Sequence, residues 1–159
     1  RGGGGDPVPI AIVCAGRLRE SYWRDAAAEY QKRMTRYNRL EIIEGPDQPE
    51  TEGAQAMKKE GAAMLAHIRP DDYVAALCID GKYLDSPGLA DFFRQRAMQG
   101  ARVVFVIGGS LGLSPEVQRR ADCRLSMSPM TFPHQLARVM LLEQLFRAAK
   151  INAGERYHK

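Results

Sequence analysis

Five strand-like segments alternate with longer segments of helical periodicity along the chain. The strand-like segments are residues 9–15, 39–43, 73–79, 103–107 and 123–127. Three of them, 9–15, 73–79 and 103–107, are apolar at nearly every position, which predicts strands buried on both faces. The intervening segments carry apolar residues at helical spacing. This βαβαβαβαβα order indicates an α/β fold of three layers with a mostly parallel sheet.

Helix-start and helix-stop signals delimit the predicted helices. Ser21, Ser86 and Ser114 suit N-cap positions, and prolines follow the last two. The predicted helices cover about residues 21–34, 54–68, 86–97, 114–121 and 133–151. Residues 80–81 are expected to close the third strand, and the proline-rich loop 45–50 is expected to be flexible. The last helix is apolar on more than one face, which favours contact with a second copy of the chain.

Length and composition predict one globular domain. The chain has 159 residues, 45% of them hydrophobic and 26% charged. No apolar run approaches the roughly 18 residues of a membrane span, and no signal peptide is visible. Residues 1–7, which begin RGGGG, are predicted to be a disordered tag or linker remnant. The domain is then expected to cover residues 8–159.

The three cysteines predict a reducing, cytoplasmic environment. Cys14, Cys78 and Cys123 are odd in number, and each lies in or beside an apolar run. Buried free thiols are the expected state. No Cys or His pairing has the spacing of a metal site, so no metal is predicted.

Positive charge is concentrated near the start of the chain. The formal net charge is +4, and residues 17–39 contain seven Lys or Arg against three Asp or Glu. This distribution favours a polyanionic partner without requiring one. The alternative is a solvated helix face.

Two stretches after predicted strands could bind a ligand through backbone groups. Gly108-Gly109 follows the fourth strand, and the loop 128–133 follows the fifth. The carboxyl ends of parallel strands are the usual ligand-binding edge of such sheets. The glycine pair alone is equally typical of a tight turn. Neither GxGxxG at the first strand-helix junction nor a Walker sequence is present, which argues against NAD and ATP.

The proline-rich loop is the more informative of the two stretches. Pro129 and Pro133 hold its backbone extended, so that carbonyl and amide groups point in fixed directions. Such groups suit the hydrogen-bonding edge of a purine. Apolar side chains that could cover the two faces of the ring are Leu77, Met127, Met130 and Phe132.

Several motifs together resemble one enzyme family. They are FVIGGSLGLS, LSMSPMTFPHQLARVMLLEQLFRA and the terminal YHK, with IAIVCAGRLRESYWRDAAAEYQKRM and ALCIDGKYLDSPGLADFF upstream. The chain resembles the SPOUT-class methyltransferases of the RlmH family, which modify a pseudouridine in bacterial 23S ribosomal RNA. The resemblance covers nearly everything after the RGGGG start.

The resemblance implies a C-terminal trefoil knot, a homodimer and S-adenosyl-L-methionine as cofactor. The positions that match the family's cofactor site are Leu77, Gly108, Met127, Ser128, Pro129, Met130, Thr131 and Phe132. The implied reaction is direct transfer of a methyl group to N3 of a pseudouridine, with no metal and no covalent enzyme intermediate.

The resemblance also implies catalytic and RNA-binding residues. His158, with Tyr157 beside it, is the candidate base, and Glu143 and His134 are weaker candidates. Arg138 could hold a phosphate or the carbonyl of the base. One subunit's tail could complete the other subunit's site.

With no appended RNA-binding module, the enzyme is expected to bind the assembled ribosome through its own surface. The candidate phosphate contacts are Arg17, Arg19, Arg36 and Lys159. Two other readings stay open: a non-catalytic RNA- or ribosome-binding protein of the same fold, and a structural α/β dimer with another small ligand.

Overall fold

Strands and helices alternate through the whole domain. The computed structural model describes residues 7–46 and 48–159, so the predicted N-terminal remnant lies outside the described residues except for Pro7. The elements are β1 Ile10–Ala15, α1 Ser21–Met34, β2 Leu40–Gly45, α2 Ala54–Leu65, β3 Tyr73–Tyr83, α3 Ser86–Ala97, β4 Val103–Ile107, α4 Pro115–Arg120, β5 Cys123–Ser126 and α5 His134–Asn152. A short 3-10 turn, Glu50–Glu52, precedes α2.

The five strands form one parallel sheet, as predicted. Their order is β2-β1-β4-β3-β5, and every described strand pair is parallel. In the centre, Ile12 pairs with Ile42 on one side and with Phe105 on the other. Helices α1, α3 and α5 cover one face of the sheet, and α2 and α4 cover the other. Burial on both faces explains why β1 and β4 are apolar throughout.

Two of the three predicted N-caps are wrong. Ser21 and Ser86 are the first residues of their helices, and the cap positions belong to Glu20 and Asp85. The Asp85 carboxylate accepts a hydrogen bond from the backbone amide of Gly88 at 2.8 Å. The hydroxyl of Ser86 donates to Gln144 instead, which ties α3 to α5. Ser114 is confirmed, because its hydroxyl accepts from the amide of Val117 at 3.3 Å.

Strand β3 does not end at Asp80-Gly81. It continues to Tyr83 after an irregularity in its pairing with β5, where both Leu77 and Lys82 pair with Leu125. Gly81 makes this possible, because a Cβ there would lie 2.7 Å from the carbonyl carbon of Leu125. Glycine thus permits a close backbone approach here, where it was expected to break the strand. The other boundaries differ from prediction by at most three residues.

Helix α5 lies between α1 and α3 and packs against both. Its largest buried apolar side chains are Leu141, Leu142, Leu145 and Phe146. Two neighbouring helices and the sheet therefore account for much of its wide apolar surface within one chain.

The loop 45–50, predicted to be flexible, includes Asp47, which lies outside the described residues. Next to it, the backbone amide of Gln48 donates to the carboxylate of Glu60 at 3.2 Å. The cysteines are free thiols, with Cys14 buried and the other two partly buried. No helix in the described ranges is long and apolar enough to cross a membrane.

Candidate functional site

Two clefts open at the carboxyl edge of the sheet. The first, which we call the glycine cleft, has a volume of about 700 Å³ and lies at the ends of β3, β4 and β5. The second, which we call the arginine cleft, has a volume of about 1020 Å³ and lies at the ends of β1 and β2 beside α1.

One wall of the glycine cleft is a tight turn that only glycine can form. A Cβ on Gly108 would lie 2.6 Å from the backbone carbon of Gly112. Gly112 has a φ of 83°, and its amide donates to the carbonyl of Gly109 at 3.0 Å. The turn therefore presents bare backbone to the cleft.

The opposite wall is the loop after β5, which two serines hold in shape. The hydroxyl of Ser126 donates to the carbonyl of Ser128 at 3.0 Å and accepts from its amide at 3.3 Å. The hydroxyl of Ser128 accepts from the amide of Met130 at 2.9 Å. Sequence reasoning credited the prolines with fixing this loop, whereas serine side chains contribute as well.

The glycine cleft brings together seven of the eight residues predicted to bind the cofactor. They are Leu77, Gly108, Met127, Ser128, Met130, Thr131 and Phe132. The eighth, Pro129, is exposed and does not line the cleft. Cys78, Ile79 and Leu113 line it without having been predicted.

Charge is nearly absent from the glycine cleft. Among the described residues that line it there is no Asp, Glu, Lys or Arg, and His134 stands at its edge at the start of α5. A flat apolar ring next to a single positive charge would meet apolar side chains and backbone dipoles here, and no opposing cation. The described part of the chain contains no group of side chains that could hold a metal ion.

The C-terminal tail packs on the second half of α5. The hydroxyl of Tyr157 donates to the carboxylate of Glu143 at 2.8 Å, and its ring meets that of Phe146 edge-on at 4.9 Å between centroids. Burial, together with the bond to Glu143, raises the pKa of Tyr157 to about 12. Tyr157 is therefore a hydrogen-bond donor at neutral pH and not a base.

Arg147 joins the other tail residue to the same cluster. Its guanidinium binds the carboxylate of Glu143 at 2.6 Å and lies 3.2 Å from Nδ1 of His158. Because a guanidinium only donates, Nδ1 of His158 is the acceptor in this contact. Arg147 was not predicted as a site residue. Its spacing of four residues from Glu143 on a helix nevertheless indicates an ion pair between the two.

The tail cluster and the glycine cleft are separate within one chain. Glu143 follows Ala137, the last residue of α5 among those lining the glycine cleft, by six residues, or about 9 Å along the helix axis. Tyr157 and His158 do not line the glycine cleft.

Arg138 belongs to neither group. Its guanidinium is buried, with 1% exposure, and pairs with Glu44 at 2.5 Å and with the carbonyl of Gly16 at 3.1 Å. It forms part of the arginine cleft, together with Arg17, Arg19 and Arg24.

The two remaining residues of the predicted RNA-binding set lie elsewhere. Arg36, beyond the far end of α1, pairs with Glu155 of the tail at 3.4 Å, and Lys159 is exposed.

Two solved structures whose proteins are described as methyltransferases share this fold. A probable methyltransferase from Bordetella pertussis Tohama I superimposes with a TM-score of 0.57 at 15% identity, over 89% of this chain and 95% of that one. The SpoU methyltransferase AviRb from Streptomyces viridochromogenes, in complex with the cofactor AdoMet, gives a TM-score of 0.51 at 12% identity, over 96% and 61%. At these identities the likeness concerns the fold alone.

Sequence comparison identifies the family. A family model described as predicted SPOUT methyltransferase matches residues 8–158. Ribosomal RNA large subunit methyltransferase H of Bifidobacterium animalis subsp. lactis is 51% identical over 157 residues, which cover 94% of this chain and 99% of that protein. The protein of the same name from Clostridium novyi is 48% identical, with the same coverage. The fold and the sequence define a SPOUT methyltransferase. Within that class, the chain belongs to the ribosomal RNA large subunit methyltransferase H family.

Proposed function

We propose that the protein transfers a methyl group from S-adenosylmethionine to N3 of a pseudouridine in 23S ribosomal RNA of the assembled ribosome. The observation that carries this proposal is the identity of about half the sequence with methyltransferase H relatives, over 94% of the chain. The clustering of seven motif residues around one uncharged cleft supports it.

The residues of the glycine cleft fit S-adenosylmethionine. Bound there, this cofactor supplies a methyl group on a positively charged sulfur. Leu77, Met127 and Phe132 offer apolar contacts for the purine, and the backbone of residues 126–131 offers hydrogen-bonding groups for its edge. The absence of Lys and Arg among the described lining residues leaves the sulfonium without electrostatic repulsion.

The acceptor nitrogen must lose a proton to become a good nucleophile, and the tail supplies the groups for this step. His158 is the proposed proton acceptor, and because its Nδ1 contacts Arg147 in the single chain, this nitrogen must leave Arg147 before it can take the proton. Tyr157, which remains protonated, donates a hydrogen bond and positions Glu143. The burial of Arg138 favours a positioning role over direct contact with the base.

The proposal includes a homodimer in which the tail of one subunit serves the glycine cleft of the other. The distance along α5 between the cleft and the tail cluster of one chain favours this arrangement. The proposal further includes the trefoil knot of the family and a cytoplasmic enzyme. The contact of the turn 108–113 and the loop 126–133 around one cleft is compatible with the knot.

Methylation of ribosomes tests the proposed function. Ribosomes from cells that lack the enzyme would be incubated with the protein and S-adenosylmethionine labelled in the methyl group. Mass mapping of the 23S RNA should then find one new methyl group, on a pseudouridine. A protein that binds ribosomes and transfers no label would instead be the non-catalytic binding protein.

A further inference from the structure

We propose that the arginine cleft binds the sugar-phosphate backbone of the RNA beside the target nucleotide. The proposal rests on the proposed function and adds to it a phosphate subsite built by Arg17, Arg19 and Arg24. Arg24 was not among the predicted RNA-binding residues, and Arg36, which was, lies outside this cleft.

The two clefts lie on either side of the first turns of α5. His134, Gln135 and Ala137 line the glycine cleft, and the next residue, Arg138, lines the arginine cleft. Only the width of one helix, about 10 Å with side chains, therefore separates them. A nucleotide held at the mouth of the glycine cleft would place a neighbouring part of its strand over the arginine cleft.

The charge of the arginine cleft matches a polyanion. Four arginines and one acid, Glu44, stand among the described residues that line it. Glu44 is engaged by Arg138, and Arg17 and Arg24 add further positive charge to the described lining. Arg17 is exposed and makes no hydrogen bond or ion pair with residues 7–46 or 48–159. Its donors are therefore available to a ligand.

The backbone that carries these arginines is fixed in advance. The amide of Leu18 donates to the carboxylate of Glu44 at 3.3 Å, and Arg138 binds the carbonyl of Gly16. The guanidinium of Arg24 reaches back to the carbonyls of Leu18 and Arg19. A segment held at several points loses little freedom when it binds a ligand, which favours a binding site over a solvated loop.

The size and lining of the cleft favour a nucleic acid strand over a free anion. Guanidinium groups match phosphate oxygens in geometry and charge. One phosphate would fill only a small part of about 1020 Å³. The apolar side chains of Ala27 and Ile42 also line the cleft and could contact a ribose or a base.

The test compares two double variants of the full-length protein that remove equal charge. Arg17→Gln with Arg19→Gln changes the arginine cleft. Arg94→Gln with Arg119→Gln changes two exposed arginines outside both clefts, which pair with Asp91 and Glu116. Binding of a fluorescent single-stranded RNA oligonucleotide would be measured over a range of salt concentrations. The KM for ribosomes and the affinity for S-adenosylmethionine would be measured alongside.

For the cleft variant we expect roughly tenfold weaker RNA binding and a salt dependence shallower by about 1.4 in the log-log slope. Its KM for ribosomes should rise by a similar factor, with kcat and cofactor affinity unchanged. The control variant should behave like the unaltered protein. Inorganic phosphate at millimolar concentration should not displace the RNA; if it does, the cleft is a site for free anions and the proposal is overturned.

Equal effects of the two double variants would also overturn the phosphate subsite, because general surface charge would then explain RNA binding. That result leaves the proposed methyl transfer intact, since the unaltered protein still methylates ribosomes. If the unaltered protein binds RNA through this cleft and methylates nothing, the proposed methyl transfer is wrong. RNA binding at the arginine cleft is then still supported.

Discussion

The glycine cleft and the arginine cleft share one edge of the sheet but are built from opposite chemistry. The glycine cleft presents backbone groups and apolar side chains, and its described lining contains no Lys, Arg, Asp or Glu. The arginine cleft contains four arginines around one acid. The strands of one parallel sheet can therefore end in two sites suited to two different ligands. Changes in one cleft should therefore leave binding in the other largely intact.

Removal of the tail should have the largest effect on activity. It should not alter either cleft of the same chain. Deletion of Tyr157 to Lys159 is expected to lower kcat for ribosome methylation by about 10³-fold, which is within the range of general acid-base contributions. The affinity for S-adenosylmethionine, measured by calorimetry, should not change. The single variant Arg156→Ala, at an exposed tail residue outside the predicted sites, is the control and should retain most activity. Full activity of the deletion variant would show that the tail takes no part in catalysis.

Gly108→Ala should change ligand binding in the glycine cleft and leave the arginine cleft unchanged. The added Cβ would lie 2.6 Å from the backbone of Gly112, so the turn must move. Such overpacking costs about 1–3 kcal/mol, and we expect the affinity for S-adenosylmethionine to fall about tenfold or more. RNA binding at the arginine cleft should stay unchanged. Gly100→Ala is the matched control, because Gly100 lies outside both clefts and a Cβ there would have no atom within 4 Å. An unchanged cofactor affinity in Gly108→Ala would place the cofactor elsewhere.

Glu44→Gln tests how the arginine cleft is held together. The change leaves the buried guanidinium of Arg138 without its carboxylate partner. Removing one partner of a fully buried pair costs about 3–5 kcal/mol, and the partial exposure of Glu44 reduces our expectation to about 2 kcal/mol of unfolding free energy. Urea denaturation measures it. Glu29→Gln, which breaks an exposed pair with Arg33, should give no measurable change. Equal stability of both variants would show that the buried pair contributes little.

The ion pair of Asp72 and Arg102 provides a pH-dependent reference at the opposite edge of the sheet, where β3 and β4 begin. Burial alone would raise the pKa of Asp72, but hydrogen bonds from Arg102 and from the amide of Arg69 outweigh it and lower the pKa. A lowered pKa in the folded state gives stability above the unfolded value, about pH 4, that is lost as the pH falls further.

Arg102→Gln should therefore cost roughly 1 kcal/mol at pH 7 and less at about pH 3, as measured by denaturant unfolding. Neither cofactor nor RNA affinity should change. A stability difference that grows toward acid pH would have the wrong sign for this explanation.

The sequence predicts most of the fold because its signals are local. The apolar runs of β1 and β4 predict buried parallel strands, and the glycine turn and the loop after β5 mark the glycine cleft. The choice of cap at α1 and α3 was missed, since an acidic residue directly precedes each serine. At α3, Asp85 and Ser86 are both possible caps, and it is the side chain of Asp85 that accepts from the backbone amide of Gly88.

Contacts between side chains of distant segments could not be predicted from the sequence. Arg138 and Arg147 lie on the same helix, but Arg138 binds Glu44, 94 positions earlier in the chain, whereas Arg147 meets His158 of the returning tail. Nothing in the spacing of α5 distinguishes the two partners. The arginine cleft likewise requires α1, β2 and α5 to meet, which periodicity does not reveal.

The salt dependence of cofactor binding tests the contrast between the two clefts most directly. Calorimetric titration with S-adenosylmethionine at about 50 mM and at about 500 mM salt, a range over which screening removes most surface electrostatics, would be compared with RNA binding under the same conditions. We predict one cofactor site per chain with an affinity that changes less than about twofold, while RNA binding collapses. Cofactor binding that weakens with salt as steeply as RNA binding, or that is absent, would contradict an uncharged donor site beside a charged RNA site.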